Sequence, residues 1–129
     1  MDWEAWVDRV HRALRQKDPA LGQFFAPGAH FLDPEVPLTT DLSIAERQLR
    51  AAFTDWDRRV LSVRGDEGGV AFEWAGRGTL YGTARVEILG CTVVDVDEAG
   101  LVTRWRDYFD VKELERQIGS TDEVFREWS

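Results

Sequence analysis

Apolar residues recur along this chain with two different periods, and the change of period divides it into two parts. In the first part, Trp3, Trp6, Val7, Val10 and Leu14 follow the 3, 4, 7 spacing of one buried helical stripe. Asp2 stands where a helix cap belongs. Lys17-Asp18-Pro19 ends the stripe, and Pro19 suits the first turn of a second, short helix running through Phe24-Phe25. Ala26-Pro27-Gly28 reads as a break, Ala29 to Leu32 as a short strand stopped by Asp33-Pro34, and the Pro-containing stretch through Thr40 as a loop. Ser43-x-x-Glu46 is a capping box, which predicts a third helix with Ile44, Leu49, Ala52, Phe53 and Trp56 on its apolar side.

After Trp56 the period falls to that of strands. Strands are predicted over residues 60–64, 70–74, 85–96 and 101–110. Asp66-Glu67-Gly68-Gly69 and Asp97-Glu98-Ala99-Gly100 are the turns between them, and residues 76–82 are punctuated by glycine. Residues 112–118 are helical and Gly119 stops them; residues 120–128 read as a terminal helical turn or tail. Helices followed by a run of antiparallel strands predict one α+β domain over residues 1–129, a curved sheet wrapped on helices and enclosing a pocket.

Composition narrows the class. Six Trp and seven Phe in 129 residues supply large ring surfaces for a core, an apolar cavity or a subunit interface. A formal net charge of −8 argues against a nucleic-acid partner or an anionic membrane surface. The single cysteine, Cys91, reads as a small buried hydrophobe rather than a disulfide partner or zinc ligand. There is no basic-then-apolar leader and no apolar run of membrane-spanning length, so a cytoplasmic location is expected. No glycine-rich phosphate motif is present, so no cofactor is expected, and two isolated histidines make a metal site improbable.

The chemistry concentrates in Trp105-Arg106-Asp107-Tyr108-Phe109-Asp110. Strand alternation puts Trp105, Asp107 and Phe109 on one face and Arg106, Tyr108 and Asp110 on the other. An acid between two rings on an apolar face loses water, the setting in which carboxyl groups take part in proton transfer. The alternative is a strand aspartate that is exposed or paired with Arg104 or Arg106. Asp33, before Pro34, is either a turn aspartate or a second pocket acid. His11 falls opposite the Trp stripe and reads as solvated, His30 alternates away from Phe31, and Arg58-Arg59 reads as a solvated strand start.

Phe31-Leu32-Asp33-Pro34 at the end of the first strand, and residues 100–110 as a turn and last strand, carry a resemblance. Together with the order of elements they resemble the nuclear transport factor 2-like cone, in which three N-terminal helices pack on a curved antiparallel sheet. The last segment looks closest to the limonene-epoxide hydrolase branch and is also similar to polyketide cyclase-like (SnoaL-like) members. The resemblance implies a homodimer and a small apolar terpenoid or polyketide-like substrate, handled without cofactor by two carboxyl groups from opposite walls of a dry pocket lined by Phe31, Trp56, Trp105 and Phe109. Asp107 then matches the carboxylate that works with an arginine to activate water. Phe31 stands where the branch has a water-holding Tyr, and Asp33 where it has Asn. The Arg-x-Asp motif of a middle strand should fall within residues 70–74, which hold no arginine. Glu73 is the candidate to replace its acid, and Arg77 or Arg85 to supply its guanidinium.

Two other function classes stay open. Steroid isomerases of the same cone place their base at an Asp-Pro step, as at Asp33-Pro34, although the first helix here has Trp6, Arg9 and Val10 in place of their Tyr, and the site of their second acid falls near Thr92. A binding or assembly module without chemistry is the third class.

Overall fold

The computed structural model describes residues 1–15, 19–34, 36–39, 55, 57–80 and 84–118. Helix α1 (Trp3–Arg15) forms where the stripe predicts it, with Asp2 Oδ1 accepting the Ala5 N–H at 3.1 Å as its cap. The second N-terminal helix is a single 3-10 stretch, Pro19–Phe24. The third, expected over residues 43–56, lies outside the described residues, as do Trp56 and the terminal turn of residues 120–128. The described residues therefore hold one N-terminal α-helix, not three, and a second α-helix, α2 (Val111–Ile118), follows the last strand. No helix among them is long and apolar enough to cross a membrane.

Six strands form one sheet: β1 (Phe25–Asp33), β2 (Val36–Thr39), β3 (Asp57–Gly65), β4 (Gly69–Leu80), β5 (Ala84–Val96) and β6 (Val102–Phe109), in the order β2-β1-β6-β5-β4-β3. The order brings the first long strand beside the last, and that pair is parallel, so the sheet is mixed rather than wholly antiparallel. Two segments expected as irregular belong to strands. β1 continues through Ala26-Pro27-Gly28, and the break survives as a bulge: Phe25 pairs with Val102 and His30 with Arg104, five residues against two, with Gly28 at φ 76°. The expected loop before Thr40 contains β2, paired antiparallel with β1.

Alternation decides which side chains face inward. Phe31 and Asp33 on β1, Phe72 and Trp74 on β4, Thr92 and Val94 on β5, and Trp105 and Asp107 on β6 are all buried. Trp6, Val7 and Val10 of α1 join Phe31, Phe72, Trp74 and Trp105 in one core cluster. The helix is strapped along β3 at both ends. Trp3 Nε1 donates to the Asp66 carbonyl at 2.9 Å, and Arg15 Nε donates to Asp57 Oδ1 at 3.0 Å.

Candidate active site

The site grows from two rings paired across β1 and β6. Phe31 registers with Trp105, and their rings stack at 6.4 Å. Two residues further along each of these parallel strands come Asp33 and Asp107, 5% and 4% exposed. They share the inner face on adjacent strands, spaced about 4.8 Å apart as in any sheet. The two acids therefore rise side by side from one wall rather than from opposite walls.

Asp107 is held from two directions. Thr92 is its register partner on β5, and the Thr92 hydroxyl donates to Asp107 Oδ1. Trp74 Nε1 donates to Thr92 Oγ1 at 2.8 Å. An indole N–H can only donate, so Thr92 must accept from Trp74 and turn its one hydrogen to Asp107. From β3, Arg58 Nη1 donates to the same Oδ1 at 3.3 Å. The guanidinium lies 4.5 Å from the Trp74 ring centroid and 6.0 Å from that of Phe72, a cation over aromatic faces. Both protein donors thus engage Oδ1, and among the described residues none engages Oδ2.

Arg58 brings a guanidinium to Asp107 from β3, not from the middle strand where the resemblance points. It is 9% exposed, not the solvated strand start expected of it. Strand β3 begins at Asp57 rather than at residue 60, so Arg58 shares the inward face of Val60, which is partly buried. The i, i+2 relation of these two residues was the available signal. The three expected supporting residues lie elsewhere. Glu73 is exposed on the outer face and accepts the Ser62 hydroxyl at 2.6 Å; Arg77 is exposed on that same outer face; Arg85 is exposed and pairs with Asp55 at 2.6 Å. Of the expected pocket rings, Phe31 and Trp105 are buried in the packed cluster and Phe109 is half-buried, its ring 6.4 Å from that of Trp74.

His11 also turns inward, against its expected place in solvent. It is buried on α1, with its ring edge-on to Phe72 at 5.4 Å and Nδ1 bonded to the Val7 carbonyl at 2.8 Å. Burial, and after it the nearby Arg58 charge, lowers its pKa from 6.5 to about 4, so the ring is neutral at pH 7. It stands four residues after Val7, one helical turn on, and so belongs to the buried stripe. His30 is exposed, as expected.

Residues 3–105 match the sequence profile of the SnoaL-like domain. The chain belongs to the SnoaL-like family. The match includes His11, Asp33, Arg58, Trp74 and Thr92 and stops two residues before Asp107. Solved structures share the fold of this SnoaL-like domain at low identity. A nuclear transport factor 2-like protein of unknown function from Burkholderia pseudomallei is 16% identical at a TM-score of 0.76, over 91% of this chain and 97% of its own. A putative SnoaL-like polyketide cyclase from Jannaschia is 15% identical at 0.74, over 89% and 90%. A protein of ketosteroid isomerase-like fold from Catenulispora acidiphila, solved with trimethylamine, is 19% identical at 0.77, over 88% and 92%. No curated protein matches the chain by sequence.

Proposed function

We propose that this SnoaL-like domain is a cofactor-free enzyme that opens an epoxide, or closes a ring by the same chemistry, on a small apolar terpenoid or polyketide-like molecule. Asp107 is the proton-accepting group and Asp33 the proton donor. The observation that supports this reading is the one-sided bonding of Asp107: among the described residues Arg58 and Thr92 hold Oδ1 and none holds Oδ2, which is left for a reacting proton. Stability alone accounts poorly for the arrangement. Replacing a buried ion pair with packed apolar side chains is often neutral or stabilising, so a buried Arg58–Asp107 pair points to chemistry.

In the hydrolytic form, a water on Oδ2 gives its proton to Asp107 while its oxygen forms a bond to an epoxide carbon. The carbon–oxygen bond of the ring breaks, and the departing oxygen takes the proton of Asp33. The product is a diol, and proton exchange with solvent resets both acids. In the cyclising form, a substrate hydroxyl takes the place of the water. We further propose that the domain works as a homodimer through its outer sheet face.

The test is turnover of limonene oxide to diol by Asp107→Asn and Asp33→Asn. The Asp107 variant is expected to lose a factor of about 10² to 10⁴. It also leaves the Arg58 charge without its partner, at a cost of about 3 kcal/mol, so the assay is run where circular dichroism shows the variant folded. An unchanged rate sinks the acid–base role of Asp107. A complete loss in Asp33→Asn with an active Asp107 variant would transfer the base to Asp33 and favour an isomerase.

A further inference from the structure

Two buried ring nitrogens of the core, His11 Nε2 and Trp105 Nε1, meet no protein partner among the described residues. Both rings pack edge-on to Phe72, at 5.4 and 5.9 Å. His11 is the more informative, because its protonation pattern follows from its surroundings. The Val7 carbonyl can only accept, so the hydrogen of the neutral ring is on Nδ1. Nε2 is then a bare lone pair. The Nδ1 bond ties the other edge of the ring to its own helix, and the Phe72 contact restrains its tilt. A buried acceptor without a donor is destabilising, and native cores seldom keep one.

The neighbouring charges restrict what can bring the donor. Arg58 and Arg15 depress the His11 pKa and Asp107 raises it, so all three act on this ring. The two arginines disfavour an ammonium donor. A carboxylate has no hydrogen to give, and Asp107 repels it. A neutral hydroxyl meets both conditions.

We propose that His11 is a ligand-positioning residue whose Nε2 accepts a hydrogen bond from a hydroxyl of the bound molecule, so that the site prefers an apolar ring compound carrying an O–H to its analogue without one. This rests on the reading of the inner face as the binding site. It adds a substrate class, neutral alcohols and phenols, and a residue outside the proton-transfer pair.

The experiment compares phenol with anisole, rings of similar size that differ in the hydroxyl hydrogen. The wild-type protein is expected to bind phenol roughly five- to tenfold more tightly by calorimetry. The ¹⁵N resonance of His11 Nε2 should move to lower frequency with phenol and stay in place with anisole. In His11→Phe the preference should fall to about one, and His11→Gln, which restores an acceptor, should recover part of it. Equal affinity in the wild type, a preference that survives His11→Phe, or an Nε2 resonance indifferent to phenol overturns the role of His11 and leaves the Asp107 reading intact. Failure of the wild type to bind either ring overturns the apolar site itself, and the His11 role with it. The resonance is read on the wild-type protein, so a poorly folded variant does not block the decision.

Discussion

At the scale of single residues, the core contains a group that acid must charge. His11 has a pKa near 4 in the folded protein against 6.5 unfolded, so between those values the unfolded chain binds a proton that the folded one does not. Stability should be at its plateau above pH 6.5 and fall as pH drops towards about 4, by about 3 kcal/mol in all. Urea unfolding of the wild type and His11→Phe at about pH 7 and about pH 4.5 isolates this contribution. The variant should lose less stability over the interval, and an identical loss in both proteins would assign the acid sensitivity to other groups. The inward turn of Asp107 was legible because it needs only the two-residue period around Trp105 and Phe109. His11 stands one turn after Val7 and so on the buried stripe, not opposite it as expected, and Arg58 turns inward because β3 begins at Asp57, three residues before the expected start.

At the scale of elements, the Asp107 relay depends on one glycine of β5. Trp74 registers with Gly90, and a Cβ at Gly90 would fall inside the space held by the Trp74 indole. The missing side chain lets the ring cross β5 and reach Thr92. Gly90→Ala should therefore push Trp74 aside, break its bond to Thr92 and destabilise the fold by about 1–3 kcal/mol. Gly22→Ala, where an added Cβ meets nothing within 4 Å, is the matched control and should be close to neutral. Thermal unfolding and near-ultraviolet circular dichroism of the two variants check this; equal melting temperatures would refute the close-contact account. Most strands could be read from their alternation, and both turns from their Asp and Gly residues. The parallel pairing of β1 with β6 could not, because it joins segments about 75 residues apart and no local pattern encodes the partner of an edge.

At the scale of the whole molecule, the outer sheet face carries Leu89 at 71% and Tyr108 at 48% exposure, on neighbouring strands. Such side chains favour burial against a second copy, while a net charge of −8 on each chain opposes association. The proposed dimer should tighten as salt screens that repulsion. Light scattering behind size exclusion should find a dimer in the wild type and a monomer in Leu89→Glu combined with Tyr108→Glu. A monomeric wild type at about 100 μM, or a dimer untouched by both charges, would remove this face as the interface.

The sequence by itself determined the α+β class, the first helix, the alternating strands and the face that Asp107 shares with Trp105 and Phe109. Each of these follows from periods and caps that operate over a few neighbouring residues. Only the tertiary structure decided that Arg58 from β3, Thr92 from β5 and Trp74 from β4 converge on one oxygen of Asp107, and that Asp33 stands beside it. Convergence is a matter of strand order and register, set by burying the rings of the whole sheet at once, and no stretch of chain carries that information alone.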